Sequence, residues 1–278
     1  MNDPQRSLKR IPPDTIAVVG IPWDVNSSFI RGPAEGPEKI FELIGAGSTN
    51  LCAEIGLDLA EAERFKLLGH LTLENGPKAF EQITSAVDTL LGQGGRLLAL
   101  GGDHSITYPI IRAYSNYYDN LTILHLDAHP DLYQEYKNNA LSHACPFARI
   151  MEDFPHTRLV QVGIRTRNPH QRLQASRFGV ESIDMRDWRE DIKLKLDVPL
   201  YVSIDLDVLD PAYAPGVSHH EPGGMTTREL LRIINDIRIP IIGADIVELN
   251  PQRDPLGITV MVAVKVLKEL AAKMLSSD

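Results

Sequence analysis

Cysteine is nearly absent from this 278-residue sequence, which also lacks an excess of basic charge and any long apolar run. The two cysteines, Cys52 and Cys145, lie far apart. They exclude a disulfide framework and a CxxC metal or redox pair, and they read as free thiols in a reducing compartment. A chain of this length buries enough surface to fold without such staples. The 28 Lys+Arg against 37 Asp+Glu give a net charge of −9. That balance argues against non-specific nucleic-acid binding and against anionic membranes as partners. No stretch of about 18 apolar residues exists, so no membrane-spanning helix is expected. The apolar run Ile16 to Ile21 is too short for the core of a signal peptide. A cytoplasmic protein is the expectation.

Of the residues present, 43% are apolar and 23% charged, an ordinary globular balance with no repeat or low-complexity tract. Short apolar runs at Thr15–Ile21, Arg96–Leu100, Thr122–Asp127, Arg158–Val162, Leu200–Asp205 and Ile241–Val247 predict strands. They are nearly continuous rather than alternating, as strands of a parallel sheet covered on both faces are. Helices are predicted at Ala34–Ile44, Pro77–Leu91, Ile106–Tyr117, Ser142–Glu152, Thr226–Ile237 and Ile258–Leu275. Thr226 and Glu229 have capping-box spacing. The alternation predicts an α/β fold, a three-layer α/β/α sandwich with a mostly parallel central sheet, over one domain, 1–278.

The unusual polar groups fall at strand ends, where ligands bind in open α/β sheets. Gly101-Gly102-Asp103-His104-Ser105 follows one strand, and Asp127-Ala128-His129-Pro130-Asp131 ends another. Asp205-Leu206-Asp207 ends a third, with Asp245 and Glu248 at a fourth. His104, Asp127, His129, Asp131, Asp205 and Asp207 are candidate metal ligands. Four carboxylates brought together without cations would raise one another's pKa values. Two divalent cations balance them, and a single tetrahedral zinc would need only three or four of the six donors. The oxygen-rich set favours Mn²⁺, while the two imidazoles leave Ni²⁺, Co²⁺ and Fe²⁺ open. His125, inside a strand, reads as a core or supporting residue, and Asp210, before Pro211, as a turn former. Gly101-Gly102 lacks the later glycine and lysine of a phosphate-binding loop, so no nucleotide cofactor is implied.

GGDHS, DAHPD and SIDLDVLDPAYAPG resemble the three metal motifs of the ureohydrolases, the arginase and agmatinase family. GPAEGP, SHACPFARIME, FGVE, PGVSHHEPGG and ADIVELNPQRD make the likeness strongest to plant-type arginases. The resemblance implies an arginase-like fold and two Mn²⁺ per chain. It places His104, Asp131, Asp127 and Asp205 on the first ion, and His129 and Asp207 on the second, with Asp127 and Asp205 bridging. It gives Glu248 the substrate guanidinium and His143 a proton shuttle near the mouth. Asp127 would relay a proton from the nucleophile to the leaving amine. The substrate implied is a small guanidino compound, foremost L-arginine, giving L-ornithine and urea. Agmatine, guanidinobutyrate and formiminoglutamate are the alternatives within the family. A single-zinc deacetylase and a metal-binding regulatory protein on the same scaffold are the alternatives outside it. Asn139, four residues before His143, is the leading contact for a substrate α-carboxylate. Tyr133, Lys137, Asn138, Ser218, His219 and His220 are further candidates. The resemblance also implies a homo-oligomer, a trimer or hexamer.

Overall fold

The computed structural model describes Leu8 and residues 10–276. In chain order the elements are β1 (Ile16–Ile21), α1 (Gly36–Gly45), β2 (Phe65–His70), α2 (Lys78–Leu91), β3 (Arg96–Gly101) and α3 (Thr107–Tyr114). They continue with β4 (Thr122–Leu126), α4 (Pro146–Asp153), β5 (Arg158–Val162), α5 (Pro169–Phe178) and β6 (Glu181–Ile183). The last are β7 (Leu200–Asp205), α6 (Thr227–Asp236), β8 (Ile241–Val247) and α7 (Ile258–Ser276). The strands form one sheet in the order β2-β1-β3-β8-β7-β4-β5-β6. Every neighbouring pair in it is parallel.

The continuous apolar runs are explained by burial on two faces. Val18, Leu98, Leu100, Leu124, Val202, Ile204 and Ile246 belong to one core, with residues of α1, α6 and α7. Their sequence neighbours Ala17, Val19, Leu97, Ala99, Ile123, Tyr201 and Val247 belong to the other, with residues of α2, α3 and α4. Truncating one of these buried Leu or Ile side chains to Ala would cost about 2–5 kcal/mol. No helix among the described residues is long and apolar enough to cross a membrane.

Three elements go beyond the sequence reading. β2 and β6 are the edge strands, and only Phe65 of β2 is buried. They therefore lack the double-sided apolar pattern that marks the central strands. Helix α5 buries only Gln171, Gln174 and Ala175, so it carries no apolar stripe to find. Its ends are nonetheless well specified. Asn168 and Gln171 close a capping box, Pro169 opens the first turn, and Gly179 ends the helix at φ 65°. Thr226 and Glu229 make both capping-box bonds at the start of α6. Helix α4 starts at Pro146, later than expected, because Ser142 and His143 are drawn into the site.

Candidate metal centre

The four central strands β3, β8, β7 and β4 lie side by side, so their carboxyl ends deliver the polar motifs to one place. The turn after β3 is tight. Gly102 N–H donates to the Ile21 carbonyl and Asp103 N–H to that of Trp23. A Cβ at Gly102 would stand 2.0 Å from the Trp23 carbonyl oxygen, and only glycine permits that approach. Gly102→Ala is expected to destabilise the fold by about 1–3 kcal/mol, read as a lower urea midpoint. An unchanged midpoint would mean that the strand ends have slack.

His104 is fully buried. Its Nε2 lies 2.9 Å from Ser203 Oγ, and Ser203 Oγ donates to Asp245 Oδ1 at 2.7 Å. Because the serine proton is committed to Asp245, His104 Nε2 must carry the ring proton. Nδ1 is the ring nitrogen turned to the cluster. It makes no hydrogen bond, yet Asp127 Oδ2, Asp131 Oδ2 and Asp205 Oδ2 stand 3.2, 3.3 and 3.2 Å away. Burial opposes a charge on His104, but the three carboxylates outweigh it and push its pKa well up, which marks this as a place that calls for positive charge.

On β4, the buried His125 has both ring nitrogens engaged. Gln161 Nε2 donates to Nδ1 at 3.0 Å and to the Pro130 carbonyl at 2.7 Å, which fixes the amide orientation. His125 Nε2 therefore donates to Asp127 Oδ2 at 2.7 Å, and its ring stacks on Phe147 at 3.8 Å. The supporting role expected for His125 fits this placement. Gln161, His125, Ser203 and Asp245 are register partners on β5, β4, β7 and β8. They form a polar row across the sheet directly beneath the candidate ligands. Tyr201 and Thr107 also donate to Asp245, at 2.8 and 3.0 Å. Asp103 accepts from Asn26 N, Ser27 Oγ and Ser105, so it braces the turn rather than facing the cluster.

The second half of the cluster joins β4 to β7. His129 Nδ1 lies 2.9 Å from Asp207 Oδ2 and 3.5 Å from Asp127 Oδ1. Asp207 Oδ1 accepts from Ala128 N, and Asp205 Oδ1 from Asp207 N. Two sets of possible ligand atoms share Asp127: His104 with His125, and His129 with Asp207. Burial and the neighbouring Asp207 and Asp127 carboxylates push Asp205 well above the usual range. Asp207 is pushed up to about 6 by burial and by Asp127. Burial opposes ionisation of Asp127 too, but the surrounding imidazoles outweigh it and hold its carboxyl well down. The same carboxylates push His129 well up against its burial, so both imidazoles and the acids Asp205 and Asp207 are shifted toward holding positive charge, and the donor set fits a binuclear metal site.

Glu248 takes a left-handed backbone, φ 66°, as does Asp131 at φ 49°. Such positions cost a non-glycine residue about 1–3 kcal/mol and persist where the surroundings impose them. Glu248 N–H is held by the Gly102 carbonyl. Its Oε1 accepts from His104 N at 3.0 Å and lies 2.7 Å from His143 Nδ1. His143 Nε2 faces Ser28 N–H and Oγ at 3.1 and 2.9 Å. Burial disfavours a charged His143, but Glu248 and then Asp103 outweigh it and push it up to about 9. A cleft of about 250 Å³ includes Ser28, His129, Asp131, His143, Asp205, Asp207 and Glu248 in its walls. A larger groove, about 380 Å³, lies between residues 188–196 and α6 and contains none of them.

Asn139 departs from expectation. Its Nδ2 donates to Asn26 Oδ1 and its Oδ1 accepts from Leu141 N, so both ends of the amide serve the loop. It is not among the residues lining the cleft. Lys137 reaches the Ser28 carbonyl, and Ser218 donates to the Ile30 carbonyl. Of the two loop histidines, His219 lines the cleft, 5.5 Å from the His143 ring, while His220 bonds the Pro215 carbonyl. Asp210 caps its own turn through Ala212, Gly223 and Gly224. Cys145 is buried and its thiol is pushed up to about 12 by burial; Cys52 is exposed. Sequence reasoning passed over Gln161, Ser28, Asn168, Gln171 and Glu221.

The model of the arginase family matches residues 14–272. The chain belongs to the arginase family. The enzyme is 43% identical over 275 residues to "Arginase 1, mitochondrial" of Arabidopsis thaliana, covering 93% of this chain and 80% of that protein. It is 33% identical to an agmatinase of Bacillus anthracis, covering 92% and 90%. The solved arginase of Medicago truncatula superposes with a TM-score of 0.88 at 42% identity, covering 97% of this chain and 90% of that one. This is an arginase-type ureohydrolase, and its fold is the one the motifs implied. The Arabidopsis relative is named as mitochondrial, which lends the cytoplasmic expectation no support.

Proposed function

We propose that the enzyme hydrolyses the guanidino group of L-arginine to L-ornithine and urea, with two Mn²⁺ per chain. The observation that carries this reading is His104 Nδ1 facing three carboxylates, beside a Glu248 whose Oε1 is engaged by His104 N and His143. His104 and Asp131 would hold one ion and His129 and Asp207 the other, with Asp127 and Asp205 shared. The oxygen-rich donors favour manganese, with Ni²⁺, Co²⁺ and Fe²⁺ as substitutes. A mononuclear zinc site would leave part of this set uncompensated. Bound there, the cations supply the Lewis acidity that makes water a nucleophile at neutral pH.

The protein's own groups do the rest. Glu248 receives the guanidinium through a charge-assisted hydrogen bond, which limits the orientations open to its carbon. Asp127 takes a proton from the attacking water and passes it to the leaving amine. His143, bonded between Glu248 and Ser28, moves protons between the cleft and solvent. A homo-oligomer, trimer or hexamer, belongs to the same reading. Exposed Leu256, Ile258 and Met261, around the start of α7, support it.

L-Arginine and agmatine present the same guanidinium and differ by the α-carboxylate. Urea release from purified, Mn²⁺-loaded enzyme should give a kcat/KM for L-arginine about tenfold or more above that for agmatine. Agmatine ahead of arginine would overturn the substrate and leave the two-cation chemistry in place.

A further inference from the structure

A cavity of about 410 Å³ opens at the segment that follows β5, walled by Ile164, Arg165, Arg167, Arg172, Asp184 and Arg186. None of these residues lines the catalytic cleft. Thr166, Asn168 and Gln171, interleaved with the arginines in sequence, line the cleft instead. One stretch of chain therefore borders both spaces. Four guanidinium groups stand against one carboxylate in the cavity wall, on a chain whose net charge is −9. Elsewhere arginines come with carboxylates: Arg158 with Glu181 and Asp197, Arg228 with Glu54, Arg232 with Glu190.

Hydrogen bonds hold this cluster together. Arg172 Nη1 donates to the Arg167 carbonyl at 2.6 Å, and Arg167 Nη2 to Asp184 Oδ1 at 2.7 Å. Met185 N–H donates to the Ile164 carbonyl at 2.9 Å, which sets the chain at Arg186 beside the chain at Arg165.

The donors are unequally used. Arg165 spends its N–H groups on the carbonyls of Glu221, Gly163, Val208, Asp207 and Leu209. It brings charge to the cavity and no spare donor. Arg167 Nε is buried and has no acceptor among the described residues. Arg172 gives only Nη1, to a carbonyl, and Arg186 gives Nε to its neighbour Asp187 at 3.3 Å. Both side chains are exposed, so their remaining N–H groups can turn to a ligand.

The surplus is of one sign and one donor type. Guanidinium forks match the oxygens of phosphate and carboxylate, and several around one cavity suit an anion carrying more than one charge. The cavity is more than ten times the roughly 30 Å³ that one water takes in the liquid. It therefore has room for more than a bare oxyanion.

We propose that this cavity binds a phosphate group, free or carried as the monoester of a small metabolite. Arg167, Arg172 and Arg186 are its donors, and Arg165 adds charge. The site is independent of the metal cluster and of which guanidino compound the enzyme takes.

The test is equilibrium dialysis of Mn²⁺-loaded enzyme against inorganic phosphate, sulfate and glycerol 3-phosphate, with ionic strength fixed by chloride. Wild type should bind an oxyanion that a variant carrying both Arg172→Gln and Arg186→Gln binds about tenfold or more weakly. Exposed side chains of this kind are tolerated by the fold. Arg238→Gln, in the groove beside α6, should bind like wild type. A thermal scan gives a second reading: phosphate should raise Tm in wild type, and the rise should shrink in the double variant. Glycerol 3-phosphate binding more tightly than phosphate assigns the site to a monoester, and the reverse assigns it to the free ion. Binding that survives both substitutions places the anion elsewhere, at the metal cluster for one, and overturns the proposal. Absence of binding in wild type overturns it too. A change of sedimenting mass in the double variant would then make the cavity an interface between copies of this chain.

Discussion

Glu248→Gln should retain two cations per chain and lose about a hundred- to a thousandfold in kcat. The argument turns on what the substitution spares. The amide oxygen of Gln still accepts from His104 N, which Glu248 Oε1 does at 3.0 Å. The left-handed backbone at 248 is set by the Gly102 carbonyl and is not changed by the side chain. The negative charge is lost, and with it the partner of the cationic guanidinium. The contact to His143 at 2.7 Å also weakens. His143→Ala is the companion variant: turnover should slow while metal content holds. Metal analysis beside a urea assay separates the two kinds of loss. A Glu248→Gln enzyme that arrives without metal would make Glu248 a ligand and overturn its role as guanidinium partner.

The legible part of this fold is the part buried on both sides. β1, β3, β4, β5, β7 and β8 announce themselves because consecutive residues feed opposite cores, so apolar character seldom lapses. β2 and β6 sit at the edges, and α5 is polar on nearly every face. Their local pattern therefore carries little, and tertiary contact decides them. The candidate ligands were readable for a related reason. Each motif is contiguous and ends a strand, and parallel strands put such ends together. The polar row beneath them was not readable. Gln161, His125, Ser203 and Asp245 are single polar residues in apolar runs, and only the register makes them neighbours. Asn139 is engaged elsewhere in the structure for the opposite reason. Its spacing from His143 suggested reach, but a loop amide with Asn26 and Leu141 at hand satisfies itself locally. Glu221 was hidden in a Pro- and Gly-rich loop whose path is set by Arg165.

The largest effect expected concerns the cations themselves. Wild-type enzyme should bind two divalent ions per chain, lose urea formation with a chelator and regain it with Mn²⁺. Asp127→Asn or Asp205→Asn should cost both ions, and activity should fall below detection. Asp131→Asn or Asp207→Asn should each weaken one ion and leave the other. The difference follows from position. Asp127 Oδ2 approaches His104 Nδ1 while Oδ1 approaches His129 Nδ1, so one carboxylate reaches both halves of the cluster. Asp205 Oδ2 lies against His104, while its Oδ1 holds the main chain of Asp207, so its loss reaches the second half of the cluster through that residue. Asp131 meets only the first imidazole and Asp207 only the second. Stability should follow occupancy, because cations that bind only the folded chain stabilise it by mass action. Added Mn²⁺ should raise Tm in wild type, and the rise should vanish in Asp127→Asn. Metal analysis, calorimetric titration and a thermal scan together read this out. A stoichiometry of one zinc per chain, or an Asp127→Asn protein still holding two ions, would overturn the shared-carboxylate arrangement. Asp127 would then be left with proton transfer alone, and His125 beneath it would be holding a base rather than a ligand.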